Sequence, residues 1–303
     1  MNLEDINKFS KQIRGVIEFE KNLKLINWFN IGGKSKIFFK PDSLIELKKF
    51  LKLYNNRGKI FIIGAGSNVL FSDKYFDGVV IKLGKMFSNL SLMDENTIIA
   101  GSSSTDKQLS EFAKNNNISG FEFLSCIPGS VGGGIRMNAG CFKNEFKDIL
   151  VSVQALDMNG NITTIPKKYI KFDYRNSNFS KDLIFLSGTF RGKTADIKII
   201  ENQMHEMKTK KNLTQPSKIK TSGSTFKNPI KQTKKKVWEL IMESVPLNTK
   251  FGGASISKKH CNFFVNENNA DFNDMNNLIN FVKDKVKKKT GVDLELEIIL
   301  VKW

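Results

Sequence analysis

Histidine is almost missing from this chain of 303 residues; His205 and His260, far apart in sequence, are the two copies. A zinc site of His and Cys therefore has too few ligands to draw on, and a Ser-His-Asp triad would have to use one of those two imidazoles. Cysteine is as sparse. Cys126, Cys141 and Cys261 form no CxxC pair, and an odd number without regular spacing fits reduced thiols, not a disulfide framework. No metal site is expected. Nor does any stretch reach the roughly 18 consecutive apolar residues that a membrane span requires. The N-terminal MNLEDINKFSKQIRG mixes both charge signs and lacks the apolar h-region of a secretory signal, so the expected compartment is the cytoplasm. Acidic residues are outnumbered, 30 against 48 Lys and Arg, for a formal net charge of +18. Such a surface could attract nucleic acid, anionic lipid or a phosphorylated small molecule. The basic residues are scattered, however, clustering only at 208–212, 234–236 and 285–289, and the plain reading is solvated helix faces. The expected chemistry borrows a cofactor.

The patterning predicts an α+β fold. Apolar residues at 44, 47, 51 and 54 make a helical stripe over 43–56. KIFIIGAGSN (59–68) reads as a buried strand running into a Gly turn, and 78–83 and 96–101 as short strands. Residues 103–116 suit a capped helix with Leu109, Phe112 and Ala113 on one side. Segment 120–141 is too glycine-dense for a regular element. Residues 151–165 form a hairpin pattern turning at Asn159-Gly160; 183–190 is a strand, and a helix runs from Asp196 to about Lys211. Loop composition at 215–229 precedes a helix at 234–245, a strand-like 261–266, a helix over 272–290 capped by Gly291, and an alternating strand over 292–301. Length and composition predict a larger domain to about residue 195 and a smaller one over 200–303.

Two Gly-rich loops fall in the larger domain. Gly64-Ala65-Gly66-Ser67-Asn68 follows a strand; it would let the backbone turn tightly and aim N–H groups at an anion. It departs from the dinucleotide fingerprint, since Val69 stands where a third Gly belongs, and a plain strand-loop turn explains it equally well. The second loop is Ile127-Pro128-Gly129-Ser130-Val131-Gly132-Gly133-Gly134, followed by Arg136-Met137-Asn138-Ala139-Gly140. So many glycines cost backbone entropy unless something flat or anionic lies against the main chain. Two such loops favour a nucleotide cofactor. Further on, Gly223-Ser224-Thr225-Phe226-Lys227-Asn228-Pro229 could present the Ser224 hydroxyl as a hydrogen-bond or proton donor, or be a Ser-rich turn. Arg175, in Phe172-Asp173-Tyr174-Arg175, could grip a carboxylate or lie on the surface. Glu295 and Glu297 alternate with Leu294, Leu296 and Ile298, so both project from one strand face, which could simply be solvated. His260 reads as structural, and Cys126 and Cys141 as small buried fillers.

Taken together and in order, these segments, with Asn27-Trp28-Phe29-Asn30-Ile31-Gly32-Gly33 ahead of them, resemble the UDP-N-acetylenolpyruvoylglucosamine reductase family in its shorter type, over about Asn27 to Trp303. The most specific segment is GFEFLSCIPGSVGGGIRMNAG (120–140). The resemblance implies a p-cresol methylhydroxylase-type FAD-binding domain of two α/β subdomains over 1–195, and a smaller α+β substrate-binding domain over 200–303. It implies non-covalent FAD held by Gly64, Ala65, Gly66, Ser67, Asn68, Pro128, Gly129, Ser130, Gly133, Gly134, Asn138 and Gly140. NADPH is the implied co-substrate, and UDP-N-acetylenolpyruvoylglucosamine, on the way to UDP-N-acetylmuramate and peptidoglycan, the implied substrate. Arg175 and Glu297 would stabilise the enolate and Ser224 would protonate it, while Tyr174, Lys211, Lys227 and Asn228 would touch substrate. Cys126 and Cys141 stand where Gly and Ala are common in the family. Nucleic acid, membrane and an obligate protein partner are not expected. Two rivals are weighed: another flavin oxidoreductase of the same fold with a different substrate, and a basic nucleic-acid-binding protein, which would need aromatics interleaved with Lys and Arg on one surface.

Overall fold

The computed structural model describes residues 3–55 and 57–303; Asn56, at the end of the expected 43–56 helix, lies outside the described residues, as do Met1 and Asn2. The chain clusters into two compact units. One holds Met1–Glu20, Lys36–Ala65 and Asp77–Lys210; the other holds Lys21–Ser35, Gly66–Phe76 and Lys211–Trp303. The units follow space and not chain order: 21–35 and 66–76, which a cut near residue 200 leaves with the N-terminal part, cluster with the C-terminal segment.

The first unit carries a four-stranded and a five-stranded sheet besides two-stranded pairs. The smaller has the order Val16–Asn22, Lys34–Lys40, Phe76–Ile81, Lys59–Ile62, its last two strands parallel. The helix Leu44–Tyr54 starts where Ser43 accepts from the Glu46 N–H and stops at Asn55 in the left-handed region. Its buried Leu47, Phe50, Leu51 and Tyr54 form a core with Ile37, Phe39, Val79 and Ile81. Phe39 and Phe50 stack at 4.3 Å between ring centroids. The larger sheet is antiparallel, in the order Ile162–Pro166, Leu150–Leu156, Ile184–Arg191, Thr97–Gly101, Leu90–Asp94. The expected turn joins its first two strands, with Gly160 at φ +86° and the Asp157 carboxylate accepting from the Asn159 and Asn161 N–H groups. The helix Asp106–Asn115 packs Leu109 and Ala113 into the core of this sheet, with Val131, Ile135, Phe146 and Phe190. Its start is the capping box of Thr105 and Gln108.

One expectation fails here. The glycine-dense segment contains a helix, Val131–Met137. Glycine disfavours helix by only about 1 kcal/mol per residue, and close packing overrides it. A Cβ on Gly134 would lie 2.2 Å from the Phe146 ring, so a bare backbone lets the helix settle on that ring.

The second unit is built on an antiparallel sheet, Lys250–Phe251, Ala254–Ile256, Phe264–Asn266, and the helices Val237–Ser244 and Phe272–Thr290. Asp271 caps the long helix and Gly291, at φ +73°, ends it. Phe29, Ile31 and Leu70 join Phe226, Phe264, Leu278 and Ile279 in its core. The terminal strand is shorter than the alternation suggests: only Ile299–Val301 pairs, parallel to Val69–Phe71. Before it, Leu296 makes an isolated bridge to Phe226, and the Lys227 and Glu297 N–H groups bond to Glu295 O and Thr225 O. That segment finds its hydrogen-bond partners in an irregular loop, which cannot continue a ladder. Among the described residues no helix is long and apolar enough to cross a membrane, and no group of three or more His, Cys, Asp or Glu could hold a metal ion.

Candidate flavin cradle and substrate-site residues

Within the first unit Gly64, at the start of the first Gly-rich loop, meets the second Gly-rich loop. Residues 102–106 run alongside 129–132: Asp106 N donates to Gly129 O, Val131 N to Ser104 O and Gly132 N to Ser102 O, and Thr105 bridges Ser130. Gly64 meets this ladder, since a Cβ there would stand 2.3 Å from Ser130 Oγ. Ser130 precedes the helix but its hydroxyl makes no capping bond. Both Ser130 Oγ and Ser102 Oγ are buried without a hydrogen-bond partner among the described residues. Buried hydroxyls are normally satisfied, so two orphans beside a bare-backbone approach are what a polar ligand laid on the loops would complete. These residues fit the phosphate-bearing part of a flavin dinucleotide. Asp106 adds a third unsatisfied group: it is 0% exposed, neither carboxylate oxygen has a hydrogen-bond partner among the described residues, and burial pushes its pKa well above the ordinary value. The sequence offered no sign of Asp106, which looks like any helix-opening acid.

Downstream of the cradle, the predicted residues go to different tasks. Asn138 ends the helix at φ +43° with its side chain spent inside the protein. Its Nδ2 donates to Glu145 Oε2 at 3.0 Å and Asp173 O at 3.1 Å, and Oδ1 accepts from Lys147 N at 3.0 Å. Arg136 donates to the carbonyls of Phe179, Ser180 and Leu183 and stacks 4.3 Å from the Phe185 ring centroid. Burial lowers its pKa to about 10, which leaves it cationic at neutral pH. Tyr174 and Arg175 form the tip of a small hairpin, Phe172–Asp173 with Asn176–Ser177. The Arg175 guanidinium lies 4.9 Å from the Tyr174 ring centroid, and Nη2 donates to Gly140 O at 2.7 Å.

In the second unit, Gly66 has φ +72° and a Cβ there would strike Ile26 O, so only glycine fits. Asn68 Nδ2 donates to Glu297 O at 3.1 Å. The 27–33 motif is packing: Asn27 bonds the carbonyls of Leu23 and Ile31, and Asn266 bonds Phe29 O. Ser224 is half-buried after Gly223 at φ +78° and bridges Phe263. The two acids of the terminal motif differ in exposure. Glu295 is 74% exposed in its side chain, 3.9 Å from Lys227 Nζ, and Glu297 is half-buried. Asn228 Oδ1 accepts from the first helical N–H, that of Val237, at 3.0 Å. Lys211 stands in the last turn of the helix Ile197–Thr214. His260 is held as a structural group, its Nδ1 accepting from Asn262 N, and burial lowers its pKa. Of the two expected fillers, Cys126 is buried and Cys141 only partly so.

The FAD binding domain family matches residues 35–166, and the family described as UDP-N-acetylenolpyruvoylglucosamine reductase, C-terminal domain, matches 215–301. A flavin-binding domain followed by that partner defines an FAD-dependent oxidoreductase. The UDP-N-acetylenolpyruvoylglucosamine reductase of Pelagibacter ubique (strain HTCC1062) is 59% identical over 302 residues, 100% of both chains. That of Rickettsia typhi (strain ATCC VR-144 / Wilmington) is 45% identical, over 94% of this chain and 96% of its own. The crystal structure of the Thermus caldophilus enzyme superposes with a TM-score of 0.81 at 27% identity, covering 96% of this chain and 100% of that one. The chain belongs to the UDP-N-acetylenolpyruvoylglucosamine reductase family, with that family's α+β, p-cresol methylhydroxylase-type fold.

Proposed function

We propose that the protein reduces the enolpyruvyl group of UDP-N-acetylenolpyruvoylglucosamine to give UDP-N-acetylmuramate for peptidoglycan, with NADPH as reductant, in the cytoplasm and without a nucleic-acid, membrane or obligate protein partner. The observation that carries the reading is the cradle of Gly64, Ser102 and Ser130 in a chain of this family. FAD, held non-covalently by the 64–68 and 128–134 loops, supplies hydride transfer from NADPH to the substrate. FAD binding is assigned to the 1–195 portion and substrate binding to 200–303, completed by the 21–35 and 66–76 segments that cluster with it.

Hydride addition to an enolpyruvyl double bond puts negative charge on the adjacent carboxylate. Arg175 meets that need as a planar cation offering paired donors, with Glu297 as its companion in orienting the carboxylate end. Ser224 holds the proton that goes to C2. An alcohol is a weak acid, and it serves because the enolate carbon is strongly basic. Tyr174, Lys211, Lys227 and Asn228 bind the rest of the substrate.

The test is stopped-flow absorbance. NADPH should bleach the flavin of the purified protein, and the enolpyruvyl sugar should restore it. Ser224→Ala should leave bleaching intact and slow recolouring by about 10²–10⁴-fold, the worth of a positioned proton donor. Equal loss of both steps would reject Ser224 as the donor, and a colourless protein unable to take up FAD would reject the whole reading.

A further inference from the structure

We propose that Glu145 is a positioning residue for Arg175, and that Asn138 is the truss that holds Glu145. The proposal rests on Arg175 acting on the substrate carboxylate, as above. The hairpin bearing Arg175 has two paired residues per strand, too few for its own ladder to define the tip. Arg175 itself is in the left-handed region at φ +56°, which costs a non-glycine residue about 1–2 kcal/mol, so something outside the hairpin must hold it there.

The last turn of the glycine-loop helix and the segment just after it supply three ties. Asn138 Nδ2 donates to Asp173 O at 3.1 Å, Ser177 Oγ to Arg136 O at 2.6 Å, and Arg175 Nη2 to Gly140 O at 2.7 Å. They seize the hairpin before, after and at its tip. A planar guanidinium needs a second point to fix its rotation, and Glu145 Oε1 stands 3.6 Å from Nη1.

Glu145 cannot swing away. Its Oε2 accepts from Asn138 Nδ2 at 3.0 Å and pairs with Lys147 Nζ at 2.7 Å. The Arg175 and Glu145 side chains are 17% and 15% exposed. A bidentate pair would lock the arginine's donors, whereas contact at 3.6 Å orients the fork and leaves its reach intact. Asn138 is 0% exposed, and its Nδ2 and Oδ1 are both engaged by the protein. In this reading, the end of the family's most specific segment serves the arginine and not the flavin.

The experiment is a double-mutant cycle on the FAD-loaded enzyme, with Glu145→Gln and Arg175→Ala separately and together. FAD content, visible spectrum and the rate of bleaching by NADPH should match wild type in all three. Glu145→Gln should slow recolouring by the enolpyruvyl sugar by roughly 10–100-fold, the cost of a misplaced catalytic group, with the loss in the maximal rate and not in the substrate concentration for half-saturation. Added to Arg175→Ala it should cost less than about twofold more, the non-additivity expected of one group acting through another. Glu145→Asp keeps the charge and should recover part of the rate; it also replaces Glu145→Gln in the cycle if that variant fails to load FAD. Losses that multiply, or a wild-type rate in Glu145→Gln beside a slow Arg175→Ala, overturn the positioning role and leave Arg175's own role standing. A wild-type rate in Arg175→Ala removes that role, and this proposal with it.

Discussion

Asp106 is the residue whose environment most disagrees with its chemistry. A carboxyl with no exposure and no partner is stable only when neutral. Its folded pKa is raised, so its contribution to stability is whole below the unfolded value of about 4 and is lost as pH rises through the folded one. Asp106→Asn, uncharged at every pH, should therefore melt like wild type near pH 4. It should melt several degrees higher at pH 8, the gap opening steadily between; a gap that is constant with pH would show that Asp106 is not the titrating group. The same scale separates legible residues from illegible ones. Gly66 was readable because a tight turn after a strand asks for glycine, and its φ of +72° answers. Glu145 was not, because nothing in a surface-like KNEFKD stretch announces that the fold will set its carboxylate beside Arg175.

At the scale of elements, alternation and capping residues made most helices and strands readable, and the Phe272–Thr290 helix has the expected bounds. The failures share a cause. The Val131–Met137 helix and the irregular 292–298 segment are decided by what packs on them, which local sequence does not carry. Gly134→Ala separates the two influences. Helix propensity alone would favour alanine by about 1 kcal/mol, but its methyl would press into the buried Phe146 ring at 2.2 Å, and overpacking costs about 1–3 kcal/mol. The net expectation is a destabilised protein with reduced FAD content, measured by urea unfolding and flavin absorbance of the purified variant. A more stable Gly134→Ala would mean that Phe146 moves aside freely.

For the whole molecule, net charge and size were legible, and the clustering of 21–35 and 66–76 with the C-terminal segment was not. No composition shift marks 21–35 or 66–76, yet both cluster with 211–303. A fragment of residues 200–303 would lack Phe29, Ile31 and Leu70, all fully buried in that unit's core, and the strand that pairs with Ile299–Val301. Each missing core side chain costs about 2–5 kcal/mol against a typical total of about 5–15. The fragment should show no cooperative thermal transition by circular dichroism, and one that melted sharply would show that the C-terminal segment suffices for its own core.

The pairing of Val69–Phe71 with Ile299–Val301 also bears on how the protein is born. On the ribosome, the first of these strands emerges long before Ile299–Val301 and must wait, its edge unpaired, until that segment follows. Apolar edges left open on a nascent chain invite association. The distant segment Ile299–Val301 is what covers this edge, so a chain stalled before that segment is made should be a client for chaperones and proteases.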